Sequence, residues 1–166
     1  MTYMATLDEA LRTGSLITYE LPGWATAPRL RQLYLHPDFL ENWADVHPTL
    51  LDPKQGTGGR TRHELLEMML IDFCCAKRPD GGDLRRMKPH PYGVLRLQPF
   101  KLRIFGFVTT YGEFVALFGA TQEETHSDTK LTGILVKKVR DFIIRNRLQD
   151  EVLKGEIYEI KARIRR

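Results

Sequence analysis

Apolar and polar positions alternate along the chain with periods that change several times, and each change predicts an element. In the first segment Thr6 and Glu9 stand three apart as a helix-start signal, with Leu7, Ala10 and Leu11 on one face and Gly14 as the stop. Leu16 to Leu21 alternates loosely, as a short strand or extended arm does, before Pro22-Gly23 and Pro28 break the backbone. Residues 1–28 therefore read as an N-terminal extension. Leu33-Tyr34-Leu35 predicts the first strand of the main domain, and Pro37-Asp38 opens a short helix carrying Phe39, Leu40, Trp43 and Ala44 on one stripe, ended by His47-Pro48.

A glycine-rich loop from Asp52 to Arg60 leads to the clearest helical signal. Thr61 and Glu64 form a capping box, and Leu65, Leu66, Met69, Leu70, Phe73 and Cys74 line one face until Pro79-Asp80-Gly81-Gly82. The period then drops towards two. Gly93 to Leu97, Leu102 to Val108 and Glu113 to Phe118 are short runs rich in Val, Ile, Leu and Phe, and their short connections require antiparallel neighbours. Ser127 or Asp128 is positioned to cap a further helix, in which Leu131, Leu135, Val139 and Phe142 recur on one face. In the charged tail, residues 146–166, Ile157, Ile160 and Ile164 fit an amphipathic helix. The fold class is α+β, an antiparallel meander packed by helices.

Composition narrows the classes. A chain of 166 residues with 42% hydrophobic content supports one good core. Its apolar runs fall short of the ~20 residues that cross a bilayer, and the acidic N-terminus is unlike a secretory leader. A cytoplasmic protein with no membrane partner is expected. Cys74 and Cys75 are adjacent in a helical segment, which suits core thiols better than a disulfide. The five histidines are scattered, so neither a metal site nor a cofactor is expected.

The net charge of +4 is modest, but its distribution is not. From Leu84 to Arg103 stand Arg85, Arg86, Lys88, Arg96, Lys101 and Arg103 with no acidic residue between them. Such a run gives one region of the surface a positive potential. Arg85, Arg86 and Lys88 are candidates to track phosphates, with His90 and Tyr92 beside them. Tyr92 and Phe100 have rings able to stack on bases. The plainer alternatives are a solvated turn for the cations and sheet packing for the rings.

Several phrases then resemble the RelE-like toxin superfamily, whose members include ribosome-dependent mRNA-cleaving toxins of toxin–antitoxin systems and phage-derived relatives. They are Leu33-Tyr34-Leu35-His36-Pro37-Asp38-Phe39-Leu40-Glu41-Asn42-Trp43, Leu84-Arg85-Arg86-Met87, Tyr92-Gly93-Val94-Leu95-Arg96, Leu102-Arg103-Ile104-Phe105-Gly106-Phe107 and Phe114-Val115-Ala116-Leu117-Phe118-Gly119. The resemblance covers residues 29–145, about two thirds of the chain. It implies an mRNA endoribonuclease without a metal, with RNA and the ribosome as targets and an antitoxin as partner. In that reading Arg103 stabilises the phosphoryl charge with Arg96 and Lys101 nearby, and His126, or secondly His90, is the general acid or base. The plainer roles are a solvent-facing strand Arg103, an edge-blunting Lys101 and a capping His126. The chain departs from the family after Gly119, where Lys and Arg residues are usual and Ala120-Thr121-Gln122-Glu123-Glu124 stands instead. That departure favours the alternative, a binding protein on the same scaffold that engages a host complex without chemistry.

Overall fold

The computed structural model describes residues 6–41, 58–76, 84–98 and 101–164. Its strands are β1 (Ile17–Thr18), β2 (Leu33–Leu35), β3 (Arg85–Arg86), β4 (Leu95–Leu97), β5 (Leu102–Val108) and β6 (Phe114–Thr121). They form one six-stranded sheet in the order β1-β2-β6-β5-β4-β3. The fold class is α+β, and the predicted meander is present, with β4, β5 and β6 antiparallel neighbours. Among the described residues the single parallel pairing is β2 on β6, Tyr34 opposite Val115.

Helices cover both faces of this sheet. On one side α3 (Arg62–Cys75), α6 (Ile157–Ile164) and Phe39 of α2 (Asp38–Glu41) pack on Leu33, Leu35, Leu95, Leu102 and Ile104. On the other, α1 (Thr6–Arg12) and α5 (Leu131–Arg145) pack on Tyr34, Phe105, Phe107, Val115 and Leu117. A sheet buried on both faces loses the apolar–polar alternation of a one-sided sheet. This is why β5 reads as an almost unbroken apolar run, in which each fully buried Leu, Ile or Phe contributes about 1.5–3 kcal/mol.

Residues 1–28 were expected as an add-on, yet their described part is built into the domain. β1 extends the sheet antiparallel to β2, Leu16 is fully buried, and Leu7 and Ala10 join the α5-side core. The tail is likewise structural, since Ile160 and Ile164 of α6 enter the opposite core. Glu9, read as half of a start signal, instead takes two hydrogen bonds from Arg12.

The cap of α3 is as predicted: Thr61 Oγ1 accepts from the Glu64 amide at 3.2 Å and Glu64 Oε2 accepts from the Thr61 amide at 2.7 Å. Its predicted apolar face is buried throughout, and Arg62 is buried with it. An unexpected short helix, α4 (Gln122–Ser127), follows β6 directly and is capped by the Thr121 hydroxyl. Ser127 consequently closes α4 by donating to the Glu123 and Glu124 carbonyls, rather than opening α5. Asp128 accepts from the Lys130 amide at 3.0 Å in the link between the two helices.

Two glycines shape the hairpin. A Cβ at Gly106, where the β5–β6 register shifts, would fall within the Val115 carbonyl. Gly112 turns the chain at φ +80°, and a Cβ there would lie 2.6 Å from the Arg163 carbonyl oxygen. The second half of the predicted Pro37 helix with Trp43 and Ala44, most of the loop from Asp52, the stop at Pro79–Gly82, and Phe100 lie outside the described residues. No described helix is long and apolar enough to cross a membrane.

Candidate nucleic-acid interface

Successive side chains of a strand point to opposite faces, so the register decides which cations meet. Arg85 pairs with Arg96, Arg96 with Phe105, and Phe105 with Phe118. These four residues form one row across β3, β4, β5 and β6 on the face covered by α5. With strands about 4.8 Å apart, the row runs roughly 14 Å. Arg103 pairs with Ala120, one step further out on the same face, and is the diagonal neighbour of Arg96 and of Phe118. Arg85 is exposed and Arg96 and Arg103 are half-buried, with Arg103 Nη1 donating to the Leu102 carbonyl at 3.0 Å.

His36 joins this face from the other side. It continues β2 past its last residue, its amide donating to the Ala116 carbonyl at 2.9 Å. Its ring centroid lies 5.6 Å from that of Phe118 and 6.2 Å from that of Phe142 on α5. The Asp38 amide donates to His36 Nδ1 at 3.2 Å, and the Asp38 carboxylate lies 3.8 Å from the same nitrogen. Lys138 of α5 places its Nζ 5.7 Å from the Phe118 centroid, an attraction of about 0.5–1 kcal/mol at an exposed site. Phe118 is thus a half-buried ring with the Lys138 ammonium over its face and the His36 imidazole tilted against it; Arg103 stands on the adjoining strand β5 and Arg96 one strand further, on β4.

The other sequence candidates are placed differently. Arg86 pairs with Leu95, so it faces the opposite side of the sheet from Arg85, and its Nη1 donates to Glu156 at 2.9 Å. The supposed cluster of Arg85, Arg86 and Lys88 is therefore divided between two faces by a strand that sequence reading took for a turn. Lys88 is exposed beyond β3. Tyr92 ends a 3-10 turn, His90–Tyr92, and lies under the Arg140 guanidinium of α5, 5.0 Å away, rather than in a sheet core. The side chain of His90 is outside the described residues. Lys101 is exposed in a left-handed turn at φ +62°, its carbonyl accepting from the Gln122 amide at 2.7 Å. His126 is exposed on the last turn of α4, whose first turn carries Glu123 and Glu124.

Glu123 occupies a position where the resemblance led us to expect a cation, and it has a structural use. Both of its oxygens accept from the buried Arg62, at 2.7 and 3.1 Å. The paired guanidinium holds its carboxyl well below the usual range, at about 2. A separate concavity of about 280 Å³ lies beside Arg29, Arg31, Tyr111 and Glu113. Its guanidinium groups are directed to backbone carbonyls, Arg29 to Tyr19 and Arg31 to Phe73 and Ala76.

Sequence reasoning named Arg96 and Arg103 but missed His36, Phe118 and Lys138. Nothing local marks those three as a set, because the pairing of β2 with β6 and the packing of α5 bring them together. Chemically, guanidinium forks bind phosphate oxygens in bidentate fashion, an aromatic ring supports a base, and an imidazole can donate or accept a hydrogen bond. The fold and this face define an α+β protein with a cationic, aromatic sheet surface. In comparison with known proteins, no family model, curated protein or solved structure matches the chain.

Proposed function

We propose that the protein is a RelE-like toxin, acting in the cytoplasm, that binds messenger RNA in the ribosome and cleaves it without a metal ion, and that a cognate antitoxin neutralises it. The observation that carries this reading is the diagonal placement of Arg96 and Arg103 on adjacent strands of one face, next to the Phe118 plate. Two guanidinium groups so placed can grip one phosphodiester, and the charge that grows on its phosphoryl oxygens during attack by the neighbouring 2′-hydroxyl is what they would stabilise. Arg103 has the central role, with Lys101 at the mouth of the same strand.

Primer extension on ribosome-bound message tests the reading. Purified protein should produce discrete truncations, and Arg103→Ala should abolish them while leaving the far-ultraviolet circular dichroism unchanged. Intact message with the unaltered protein would overturn it.

One observation favours a second reading, in which the same face captures a host complex without chemistry. The segment after Gly119 supplies Glu123 and Glu124, and Glu123 is engaged in holding Arg62. Retention of the protein on ribosomes with no cleaved product would select this alternative.

A further inference from the structure

We propose that the concavity of about 280 Å³ beside Arg29 and Arg31 is a second binding site, which takes a carboxylate carrying an apolar group, as at the end of a peptide chain or in a small organic acid. It goes beyond the nuclease reading and does not depend on it. Arg29 to Gln32 lead into β2 and Glu113 leads into β6, so the concavity sits where that parallel pair begins. Arg103 stands opposite Ala120, at the other end of β6, roughly 20 Å away at the usual rise of a strand.

The lining has donors to spare and few free acceptors. Arg31 donates to the Phe73 and Ala76 carbonyls through Nη1 alone, and Arg29 to Gln32 and Tyr19 through Nη1 and Nη2. Among the described residues the Arg31 Nε and Nη2, the Arg29 Nε and the Gln32 Nε2 donate to nothing. Nε and Nη2 are the parallel edge of a guanidinium that grips a carboxylate in bidentate fashion. Neither guanidinium forms an ion pair among the described residues, although Asp72 of α3 acts on Arg31 electrostatically. Glu113 is the one carboxyl in the lining, and its two oxygens accept from Tyr34 at 3.1 Å and Thr109 at 3.4 Å. Two guanidinium groups against one carboxyl leave a single positive charge in excess, which matches a carboxylate better than a phosphate dianion.

The remaining walls are apolar and exposed: Leu30 keeps 50% of its exposure and Tyr111 keeps 74%. They offer an apolar side chain a surface beside the charge. The framework is already rigid. The Leu30 and Arg31 amides both donate to the Cys74 carbonyl, at 2.8 and 3.1 Å, and Arg163 Nε donates to the Thr110 carbonyl at 2.8 Å, which ties down the turn that carries Tyr111. A site ordered before its ligand arrives loses little freedom on binding.

The test is titration of the full-length protein, followed by calorimetry and by amide chemical shifts. The probes are an acetylated trialanyl-leucine peptide with a free carboxyl end, the same peptide as its carboxamide, 4-methylpentanoate, and inorganic phosphate. The free-acid peptide or 4-methylpentanoate should bind, with shifts centred on Arg29 to Gln32 and on Tyr111 to Glu113, and the carboxamide should bind about ten- to a hundredfold more weakly than the acid peptide. Tighter binding of the peptide than of 4-methylpentanoate would support the chain end as the ligand, and equal or weaker binding the small acid. Arg31→Lys, which keeps the charge but not the fork, should lose about tenfold or more in affinity. Tyr111→Ala, a change at an exposed turn that leaves the fold intact, should also weaken binding. No binding of either carboxylate, equal binding of the carboxamide, tighter binding of phosphate, or shifts confined to β3, β4 and β5 would overturn the proposal. None of these outcomes bears on message cleavage.

Discussion

Arg62, with 1% of its side chain exposed, is held by Glu123, whose two oxygens accept at 2.7 and 3.1 Å across the gap between α3 and α4. The pair fastens the end of β6 to the helix layer on the opposite side of the sheet from α5, so it fixes how α4 leaves the sheet.

Removing the carboxylate takes the charged partner from a buried guanidinium. Glu123→Ala should destabilise the fold by about 1–3 kcal/mol, towards the low end because Glu123 is itself half in solvent. Urea unfolding at neutral pH measures it. Replacing both residues together, Arg62→Met with Glu123→Ala, should cost less than the sum of the single changes.

The same pair predicts an acid limb. Its carboxyl is depressed in the fold to about 2 from an ordinary value of 4.5, so its contribution is present above pH 4.5 and is lost as pH falls through the folded value. Melting temperatures of the unaltered protein should fall across that window, and Glu123→Gln should flatten the fall.

Glu113 works in the opposite sense. Burial raises its pKa, against the hydrogen bonds it accepts from Tyr34 at 3.1 Å and Thr109 at 3.4 Å. A carboxyl raised in the fold contributes most below its ordinary value of 4.5, and that contribution is lost as pH rises through the folded value. Glu113→Gln keeps an acceptor without the charge, so it should raise the melting temperature at pH 7. The gain should shrink at pH 4.

At the register shift of the central hairpin, Gly106→Ala should cost about 3 kcal/mol or more, because the obstacle is the Val115 carbonyl and not a movable side chain. A folded, fully stable alanine variant by urea titration would mean that β5 and β6 approach less closely than described.

Much of the fold was legible because its signals are local. The capping box at Thr61, the apolar stripe of α3, the β5–β6 hairpin and the α5 stripe each lie within a short window of sequence. Long-range and polar features were not. The pairing of Leu33 with Phe114 joins segments about eighty positions apart and leaves no trace in either. The sequence of α4, Gln-Glu-Glu-Thr-His-Ser, has no apolar stripe to betray it. The candidate site divides along the same line. Arg96 and Arg103 stood out as strand cations, whereas Arg86 was grouped with the wrong face because β3 went unrecognised and its alternation with it. His36 acquires meaning only once β2 lies beside β6.

The proposed function requires that RNA meet the α5 face of the sheet. Titrating a fluorescent single-stranded RNA at several salt concentrations tests it most directly, with the unaltered protein compared against Arg96→Ala, Arg103→Ala and Arg86→Ala. Each of the first two should weaken binding and reduce the salt slope by about 0.7, while Arg86→Ala, on the far face beside Glu156, should leave both unchanged. Equal losses from all three variants, or none from Arg96→Ala and Arg103→Ala, would contradict it.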